Sequence, residues 1–208
     1  MLILVSLFFC WLIFREFRKE KAFTNFDRGY IAVLVVLTLL SAWSPIRYWR
    51  FESFLTNLAS EIANRSDAEV HCNTPIDAIF DNAATVAGHA TIETGRIVLQ
   101  YPLCAQLMDY LDDPHSVTKR EKYSAIVYVH EVMHIRGERN EQRTECQAIQ
   151  RLFRVGVLLG LPFHIAKQDA ISYFKGDFKK HPYFSSACAP GGSMDEGLPD
   201  STWVGIMD

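Results

Sequence analysis

Two histidines four residues apart, with a glutamate directly after the first, are the side chains of this sequence best suited to hold a metal ion. They open the stretch His130–Ala148, which is H-E-V-M-H-I-R-G-E-R-N-E-Q-R-T-E-C-Q-A. On an α-helix this spacing places the imidazoles of His130 and His134 on one face, one turn apart. Two such imidazoles can bind one Zn²⁺, and the carboxylate of Glu131 then lies beside the open coordination position. The alternative is a buried helix that carries two histidines by chance.

The residues before the two histidines predict the helix that this chemistry requires. Thr118-Lys119-Arg120-Glu121 matches a capping box, in which a threonine and a glutamate satisfy backbone donors at a helix start. A mostly apolar run, Tyr123–Val129, leads directly into the first histidine. Gly137 is a residue type at which helices commonly end. We therefore expect a helix from about Thr118 to Arg136.

A second helix carries the carboxylates that can complete the metal site. We expect it from about Asn140 to Leu159, with Glu141 and Glu145 on one face. A carboxylate on that face would complete a site of two histidines and one glutamate, and the fourth position would be left for water. A tight helical hairpin folded about Glu138 would bring position 144 opposite the midpoint of the two histidines. From the residues alone, Glu145 is therefore an alternative ligand to Glu141.

The two helices together resemble the gluzincin metallopeptidases, which carry a zinc-binding H-E-x-x-H and a third ligand in E-x-x-A-[DE] on the next helix. The corresponding stretch here is Glu141-Gln142-Arg143-Thr144-Glu145, with Thr144 where the family usually has alanine. The resemblance implies that Glu141 is the third zinc ligand and that Glu145 orients a histidine from outside the ligand shell. It also implies a strand along the cleft that pairs with extended substrate.

Two further similarities concern the same part of the chain. His134-Ile135-Arg136-Gly137 is similar to the H-x-x-G turn of the metzincins, but Asn140 stands where their third histidine would be. The whole stretch, with E-C-Q-A and the later A-C-A-P-G-G-S-M-D, also resembles uncharacterised membrane-anchored proteins that contain H-E-x-x-H. This resemblance covers roughly the second half of the chain.

The first 50 residues have the composition of a membrane anchor. Met1–Phe14 is uncharged and would span about 21 Å as a helix, and Tyr30–Ile46 is a second uncharged run of 17 residues. By the positive-inside rule, the five basic residues between the runs predict a cytoplasmic loop: Arg15, Arg18, Lys19, Lys21 and Arg28. We therefore expect two membrane helices over residues 1–50 and an extracytoplasmic domain over residues 51–208. The alternatives are a signal peptide for the first run and a buried core helix for the second.

Four of the five cysteines lie in the domain that we expect outside the cytoplasm, where disulfides persist. Four cysteines allow three pairings. We expect Cys72–Cys104, which would tie the hairpin region together, and Cys146–Cys188, which would tie the tail to the second zinc helix. Free buried thiols are one alternative. Another alternative is that Cys188 binds zinc as a thiolate and closes the site.

The remaining elements define the expected fold class. Thr85–Leu99 has β-forming residues on either side of Thr94-Gly95 and predicts a β-hairpin, the candidate for the strand along the cleft. From His181 the chain is irregular, but its aromatic residues indicate that it packs down. Further helices are expected at Phe51–Ala63, Cys104–Leu111 and Pro162–Phe178. The predicted fold is mainly α with a small β-hairpin, a minimal zincin-like α+β domain behind N-terminal transmembrane helices.

These expectations together describe a zinc metallopeptidase that is anchored in a lipid bilayer and cleaves peptide or protein substrates. Glu131 would act as the general base toward water, and the group that stabilises the oxyanion would be Tyr173, His164 or His89. His89 is more simply explained as a solvated strand residue, and His164 as a surface or capping residue. A net charge of −3 argues against a nucleic-acid partner. The alternative functions are a non-catalytic, zinc-stabilised surface or envelope binding module and an inactive descendant of a peptidase.

Overall fold

Helices dominate the structure, and short strands add a small sheet. The computed structural model describes residues 2–19, 22–81 and 86–204. The helices are α1 (Leu2–Phe17), α2 (Asn25–Ala63), α3 (Asp77–Phe80), α4 (Leu103–Asp112), α5 (Lys119–Ile135), α6 (Glu141–Leu158) and α7 (Phe163–Lys175). The strands are β1 (Glu69–Cys72), β2 (Gly88–Thr91) and β3 (Arg96–Leu99), and a 3₁₀ turn, Asp177–Lys180, follows α7. The expectation of a mainly helical fold with a small β component is confirmed. The chain divides into two compact units, Met1–Ser53 and Phe54–Asp208.

Among the described residues, α2 is the helix that is long and apolar enough to cross a membrane. It has 39 residues, and only 6% of its apolar 18-residue window is buried, unlike the core helix of a soluble protein. The 16 residues of α1 are fewer than a bilayer crossing normally requires. The separate helices expected at Tyr30–Ile46 and Phe51–Ala63 are one continuous helix instead. Pro45 lies inside this helix and removes one backbone hydrogen bond from it. The helix continues because the residues on both sides of Pro45 favour helix formation.

The sheet has the strand order β1-β3-β2, with β1 parallel and β2 antiparallel to β3. The predicted hairpin is therefore present as β2 and β3, while Thr85, at its expected start, lies outside the described residues. Gly95 in the turn has a φ of +68°, and a Cβ there would lie 2.7 Å from the carbonyl oxygen of Asp67. The turn therefore requires glycine. β1 was not predicted, because four residues are too few for an alternating pattern to stand out.

The helical hairpin of α5 and α6 begins and ends at the predicted residues. Thr118 and Glu121 form the capping box, in which each side chain accepts a hydrogen bond from the other residue's backbone N–H. Gly137, with a φ of +117°, ends α5 in a conformation that favours glycine. Asn140 caps α6 by accepting a hydrogen bond of 3.0 Å from the backbone N–H of Arg143. These local contacts fix the length of the connecting loop and with it the relative register of the two helices.

Both predicted disulfides are present. Cys72–Cys104 joins β1 to α4 with Cα atoms 5.8 Å apart, and Cys146–Cys188 joins α6 to the tail with Cα atoms 5.5 Å apart. Because Cys188 is bonded to Cys146, the alternative in which its thiolate binds zinc is wrong. The alternative of free buried thiols is wrong for the same four residues. Cys10 is the free cysteine among the described residues, and it is exposed.

The tail after α7 packs on α6 although it has little regular structure. The side-chain amide of Gln150 donates to the carbonyl oxygen of Met194 at 3.0 Å, and its oxygen accepts from the backbone N–H of Glu196 at 2.8 Å. Trp203 is only 2% exposed. The expectation that aromatic residues hold the tail against the domain is therefore met by Trp203.

The Cys146–Cys188 disulfide should stabilise the fold strongly, because it closes a loop with a sequence separation of 42 residues. For a loop of that size the chain-entropy relation gives about 4 kcal/mol. We expect the double variant Cys146→Ser/Cys188→Ser to have a free energy of unfolding lower by about 4 kcal/mol. A guanidinium titration of the full chain in detergent measures this difference. Cys10→Ser, which changes a free and exposed thiol, is the control. A double variant as stable as the native chain would contradict a structural role for this disulfide.

Candidate metal centre

The two histidines of α5 point toward the same space, with their Nε2 atoms 3.1 Å apart. Nδ1 of His134 donates to the backbone carbonyl oxygen of Glu138 at 2.8 Å, and Nδ1 of His130 donates to Oε2 of Glu145 at 2.8 Å. Each acceptor fixes the ring tautomer that keeps a lone pair on Nε2. Both Nε2 atoms are therefore available to coordinate a metal ion.

The first turn of α6 brings a carboxylate to these two nitrogens. Oε2 of Glu141 lies 3.1 Å from Nε2 of His130 and 3.5 Å from Nε2 of His134. Ligand atoms bound ~2.0–2.2 Å from a tetrahedral ion lie ~3.3–3.6 Å from one another, close to the spacing of these three atoms. His130, His134 and Glu141 therefore form a group that could hold a metal ion.

Glu145 contacts His130 on the other side of the imidazole ring and does not belong to that group. It is only 1% exposed. Its Oε2 accepts from His130, and its Oε1 accepts from the hydroxyl of Tyr173 at 2.7 Å. The first turn of α6 therefore presents Glu141, rather than Glu145, to the two Nε2 atoms. This geometry favours Glu141, and the ligand assignment itself stays a prediction.

Glu131 is buried between α5 and β2, directly beside the metal-binding group. It is 6% exposed, and a Cβ atom at Gly88 would come within 3.2 Å of its Cγ and Oε1. Burial raises the pKa of Glu131 to about 7, while the charge of His130 lowers this pKa and that of Glu141 raises it. A divalent cation held by the neighbouring group would favour the ionised carboxylate and lower the pKa. Glycine at position 88 leaves the space that this carboxylate occupies.

The contact between His130 and Glu145 is a charged hydrogen bond in a buried environment. Burial by itself lowers the pKa of His130, but the hydrogen bond and the charge of Glu145 outweigh it and raise that pKa. Burial raises the pKa of Glu145, but the hydrogen bonds from His130 and Tyr173 outweigh it and lower that pKa. Burial and the charge of Glu145 both raise the pKa of Tyr173, so its hydroxyl stays protonated and donates. Glu145 is thus held as a carboxylate between two donors.

The metal-binding group lines a cleft of about 750 Å³. One wall of the cleft is β2 with the residues on either side of it, and another is the segment His181–Tyr183 of the tail. β2 is the outer strand of the sheet, and among the described strands it pairs only with β3. The group therefore stands next to a space that is large enough for a segment of peptide.

The tail supplies two residues of the cleft that the sequence did not identify. The ring of Tyr183 stacks on the imidazole of His130, with ring centroids 5.8 Å apart and planes at 21°. The ring of His181 lies 5.2 Å from that of Tyr183. Their position depends on contacts with α6 and on a disulfide, which no local pattern encodes. A histidine and a proline followed by two aromatic residues, H-P-Y-F, form the feature that could have drawn attention to them.

The three residues expected to stabilise an oxyanion have different surroundings. The hydroxyl of Tyr173 donates to Glu145. His164 is exposed near the start of α7 and is not one of the described residues that line the cleft, so its expected surface position is confirmed. His89 on β2 is half-buried and lines the cleft, and its buried Nδ1 has no hydrogen-bond partner among the described residues. His89 therefore faces the cleft, which is the alternative to the solvated strand position expected for it.

Comparisons with known proteins leave the site to be interpreted from its own geometry. No model of a protein family, no curated protein and no solved structure matches the chain. None of the three comparisons identifies the gluzincin family, so the resemblance of H-E-x-x-H and E-x-x-T-E to that family stays a prediction.

The full chain in detergent should bind about one Zn²⁺, because three ligand atoms converge on one point. His134→Ala should abolish binding, since it removes one of two nitrogen ligands. Glu145→Ala should weaken binding about 10- to 100-fold, the usual effect of losing a partner outside the ligand shell, and Glu141→Ala should weaken it further. Zinc content after dialysis against buffered free zinc measures each effect, with the exposed His164→Ala as control.

Two results would change this interpretation in different ways. Full zinc content in His134→Ala would remove the metal site altogether. A larger loss in Glu145→Ala than in Glu141→Ala would leave the site in place and exchange the roles of the two glutamates.

Proposed function

We propose that the chain is a membrane-anchored zinc metallopeptidase that hydrolyses peptide bonds in peptide or protein substrates. The observation that supports this most directly is the convergence of two imidazole nitrogens and a carboxylate oxygen beside the buried carboxylate of Glu131, on the wall of a cleft. A group that could hold a metal ion, a buried carboxylate and a cleft thus lie together, which supports the proposal.

The ligand set fits zinc. Two imidazoles and one carboxylate are common zinc ligands, and three protein ligands with one open position are typical of catalytic zinc sites. Each histidine also donates from its other ring nitrogen to an oxygen, as metal-bound histidines in proteins usually do. When bound, Zn²⁺ supplies a Lewis acid that polarises a carbonyl and lowers the pKa of a water molecule.

In this proposal Glu131 is the residue that moves protons. Burial raises its pKa and a neighbouring cation lowers it, so the carboxylate can take a proton from water and return it to a leaving amine. The close approach of Gly88 limits the positions that the side chain can adopt. We assign Glu131 as the general base on these grounds.

β2 offers a way to bind an extended peptide. It pairs with β3 along one edge and contributes Gly88, His89 and Ala90 to the wall of the cleft. An outer strand can bind a peptide through main-chain hydrogen bonds, whatever the side chains of that peptide are. Because a Cβ atom at Gly88 would come within 3.2 Å of the Glu131 side chain, a peptide paired with β2 would pass close to the proposed general base.

One observation favours a second function. The ring of Tyr183 covers one face of His130 and restricts access to the metal-binding group from that side. Zinc sites that are closed by the protein are structural, whereas sites with an open position are catalytic. If the tail closes the cleft in the working protein, the metal would stabilise a non-catalytic binding module at a membrane surface.

We further propose that α2, together with α1, anchors the chain in a lipid bilayer with the second unit on the extracytoplasmic side. Basic residues between α1 and the apolar part of α2 favour a cytoplasmic location of that loop. The two disulfides of the second unit fit an oxidising compartment.

Zinc-loaded full chain in detergent should cleave casein or members of a peptide library. Glu131→Gln should bind zinc at the same ratio but lower kcat about 10²- to 10⁴-fold, which is the usual contribution of a general base. Mass spectrometry of the released peptides and zinc analysis measure the two effects. Glu69→Gln, which makes the same change at an exposed residue of β1, is the control.

The outcomes of this experiment distinguish the two functions. Undiminished cleavage by Glu131→Gln would contradict the proposed mechanism. A native chain that binds zinc and cleaves nothing would favour the binding module.

The proposed orientation predicts that the C-terminus lies outside the cytoplasm. Alkaline phosphatase, which is active only outside the cytoplasm, should be active when fused to the C-terminus of the full chain. A fluorescent or enzymatic reporter that works only in the cytoplasm should be inactive at the same position. An inactive phosphatase together with an active cytoplasmic reporter would place the C-terminus in the cytoplasm. The two disulfides would then no longer support the proposed orientation.

A further inference from the structure

The candidate ligand His130 is linked to α7 by two successive buried hydrogen bonds. Its Nδ1 donates to Oε2 of Glu145 at 2.8 Å, and Oε1 of the same carboxylate accepts from the hydroxyl of Tyr173 at 2.7 Å. Both Glu145 and Tyr173 are buried. His130 and Tyr173 are the two donors to this carboxylate among the described residues. Each oxygen of Glu145 therefore has one donor of its own.

The hydroxyl of Tyr173 has a single hydrogen to donate, and Glu145 receives it. In this arrangement the hydrogen is not available to an oxyanion, which is the role that the sequence suggested for Tyr173. The contact that the hydroxyl does make is with the side chain that orients His130. Any effect of this hydroxyl on the metal site would therefore pass through Glu145.

The ring of Tyr173 has a fixed place in the aromatic core beneath the tail. The ring of Phe178, in the 3₁₀ turn after α7, lies 6.5 Å from that of Tyr173 and 5.1 Å from that of Phe184. Phe178 is itself buried. Because the ring is held on this side, the hydroxyl meets Glu145 from a defined direction.

Loss of this donor would change the bond that orients His130. Without Tyr173, Oε1 of Glu145 would be buried with no donor, which costs free energy for a charged oxygen. The carboxylate would then turn so that both oxygens share the remaining donor, Nδ1 of His130. A turned carboxylate would no longer hold the imidazole with its Nε2 toward His134 and Glu141.

We propose that Tyr173 is a positioning residue that sets the metal affinity of the site through Glu145. This inference rests on the metal site of the function proposed above, but it does not depend on the cleavage of peptides. The hydroxyl of Tyr173 fixes one oxygen of Glu145, and the other oxygen then holds His130 in the orientation that metal binding requires. Removal of the hydroxyl should weaken metal binding although all three candidate ligands remain.

A second tyrosine on α4 provides a matched control. Tyr110 is buried, and its hydroxyl donates to a carboxylate oxygen of Asp169 on α7 at 2.6 Å. Asp169 does not belong to the group that could hold a metal ion. Tyr173→Phe and Tyr110→Phe thus remove the same atom from similar surroundings, and each variant keeps its ring.

The test measures the zinc dissociation constant of the full chain in detergent by competition with a fluorescent chelator. Tyr173→Phe should raise the constant by about threefold to tenfold, less than the 10- to 100-fold that is usual for a residue in direct contact with a ligand. Tyr110→Phe should leave it unchanged. In a chain that already carries Glu145→Ala, Tyr173→Phe should have no further effect, because the residue through which it acts is gone.

Thermal unfolding of the metal-free chain separates a positioning role from a merely structural one. Both phenylalanine variants should unfold at a lower temperature than the native chain, because each leaves a carboxylate oxygen with one donor fewer. A merely structural role of Tyr173 would lower this temperature without changing the zinc dissociation constant.

The outcomes separate this inference from the function on which it rests. A native dissociation constant in folded Tyr173→Phe, an equal loss of affinity in Tyr110→Phe, or the same effect of Tyr173→Phe with and without the side chain of Glu145 would overturn the inference. In each of these cases the native chain still binds zinc, and the proposed peptidase stands. A native chain that binds no zinc would overturn the proposed function and this inference with it.

Discussion

The hydrogen bonds to the buried carboxylate of Glu145 are the interactions on which the rest of the site depends. This side chain belongs to α6, and it accepts from His130 on α5 and from Tyr173 on α7, so three helices meet at one group. A carboxylate in such a buried place stays ionised only when donors surround it. The same bond turns Nε2 of His130 toward His134 and Glu141. The orientation of the candidate metal ligand His130 therefore depends on the packing of α5, α6 and α7 around Glu145.

The two walls of the cleft come from distant parts of the chain, and each is held by long-range contacts. On one side, β2 is positioned through β3, which in turn pairs with β1, and β1 is bonded to α4 through Cys72–Cys104. On the other side, the tail is positioned by Cys146–Cys188 and by its hydrogen bonds to Gln150. The small helical hairpin carries the candidate metal ligands, and the surrounding strand pairs, disulfides and hydrogen bonds fix the cleft beside them.

The parts of the site that could be predicted from the sequence are those encoded by neighbouring residues. The capping box at Thr118, the glycine after α5 and the Asn140 cap define the start and end of the helix that carries the histidines and the start of α6. The parts that could not be predicted depend on distant contacts. Tyr183 reaches His130 only because the tail folds back on α6, and β1 becomes a strand only because β3 lies beside it. The continuity of α2 was missed because Arg47 and Arg50 end the uncharged run that was expected to span the membrane, while the helix continues through them without a break.

The two histidines differ in what evolution can change around them. His130 depends on the side chain of Glu145, so a single substitution at that position can remove its acceptor. His134 donates to the backbone carbonyl of Glu138, which every amino acid carries, so no substitution at position 138 deletes that acceptor. A substitution at position 138 would instead act on the loop, because the side chain of Glu138 accepts hydrogen bonds from the backbone N–H groups of Arg139 and Asn140. Position 145 is the one where drift would first leave a histidine without its acceptor.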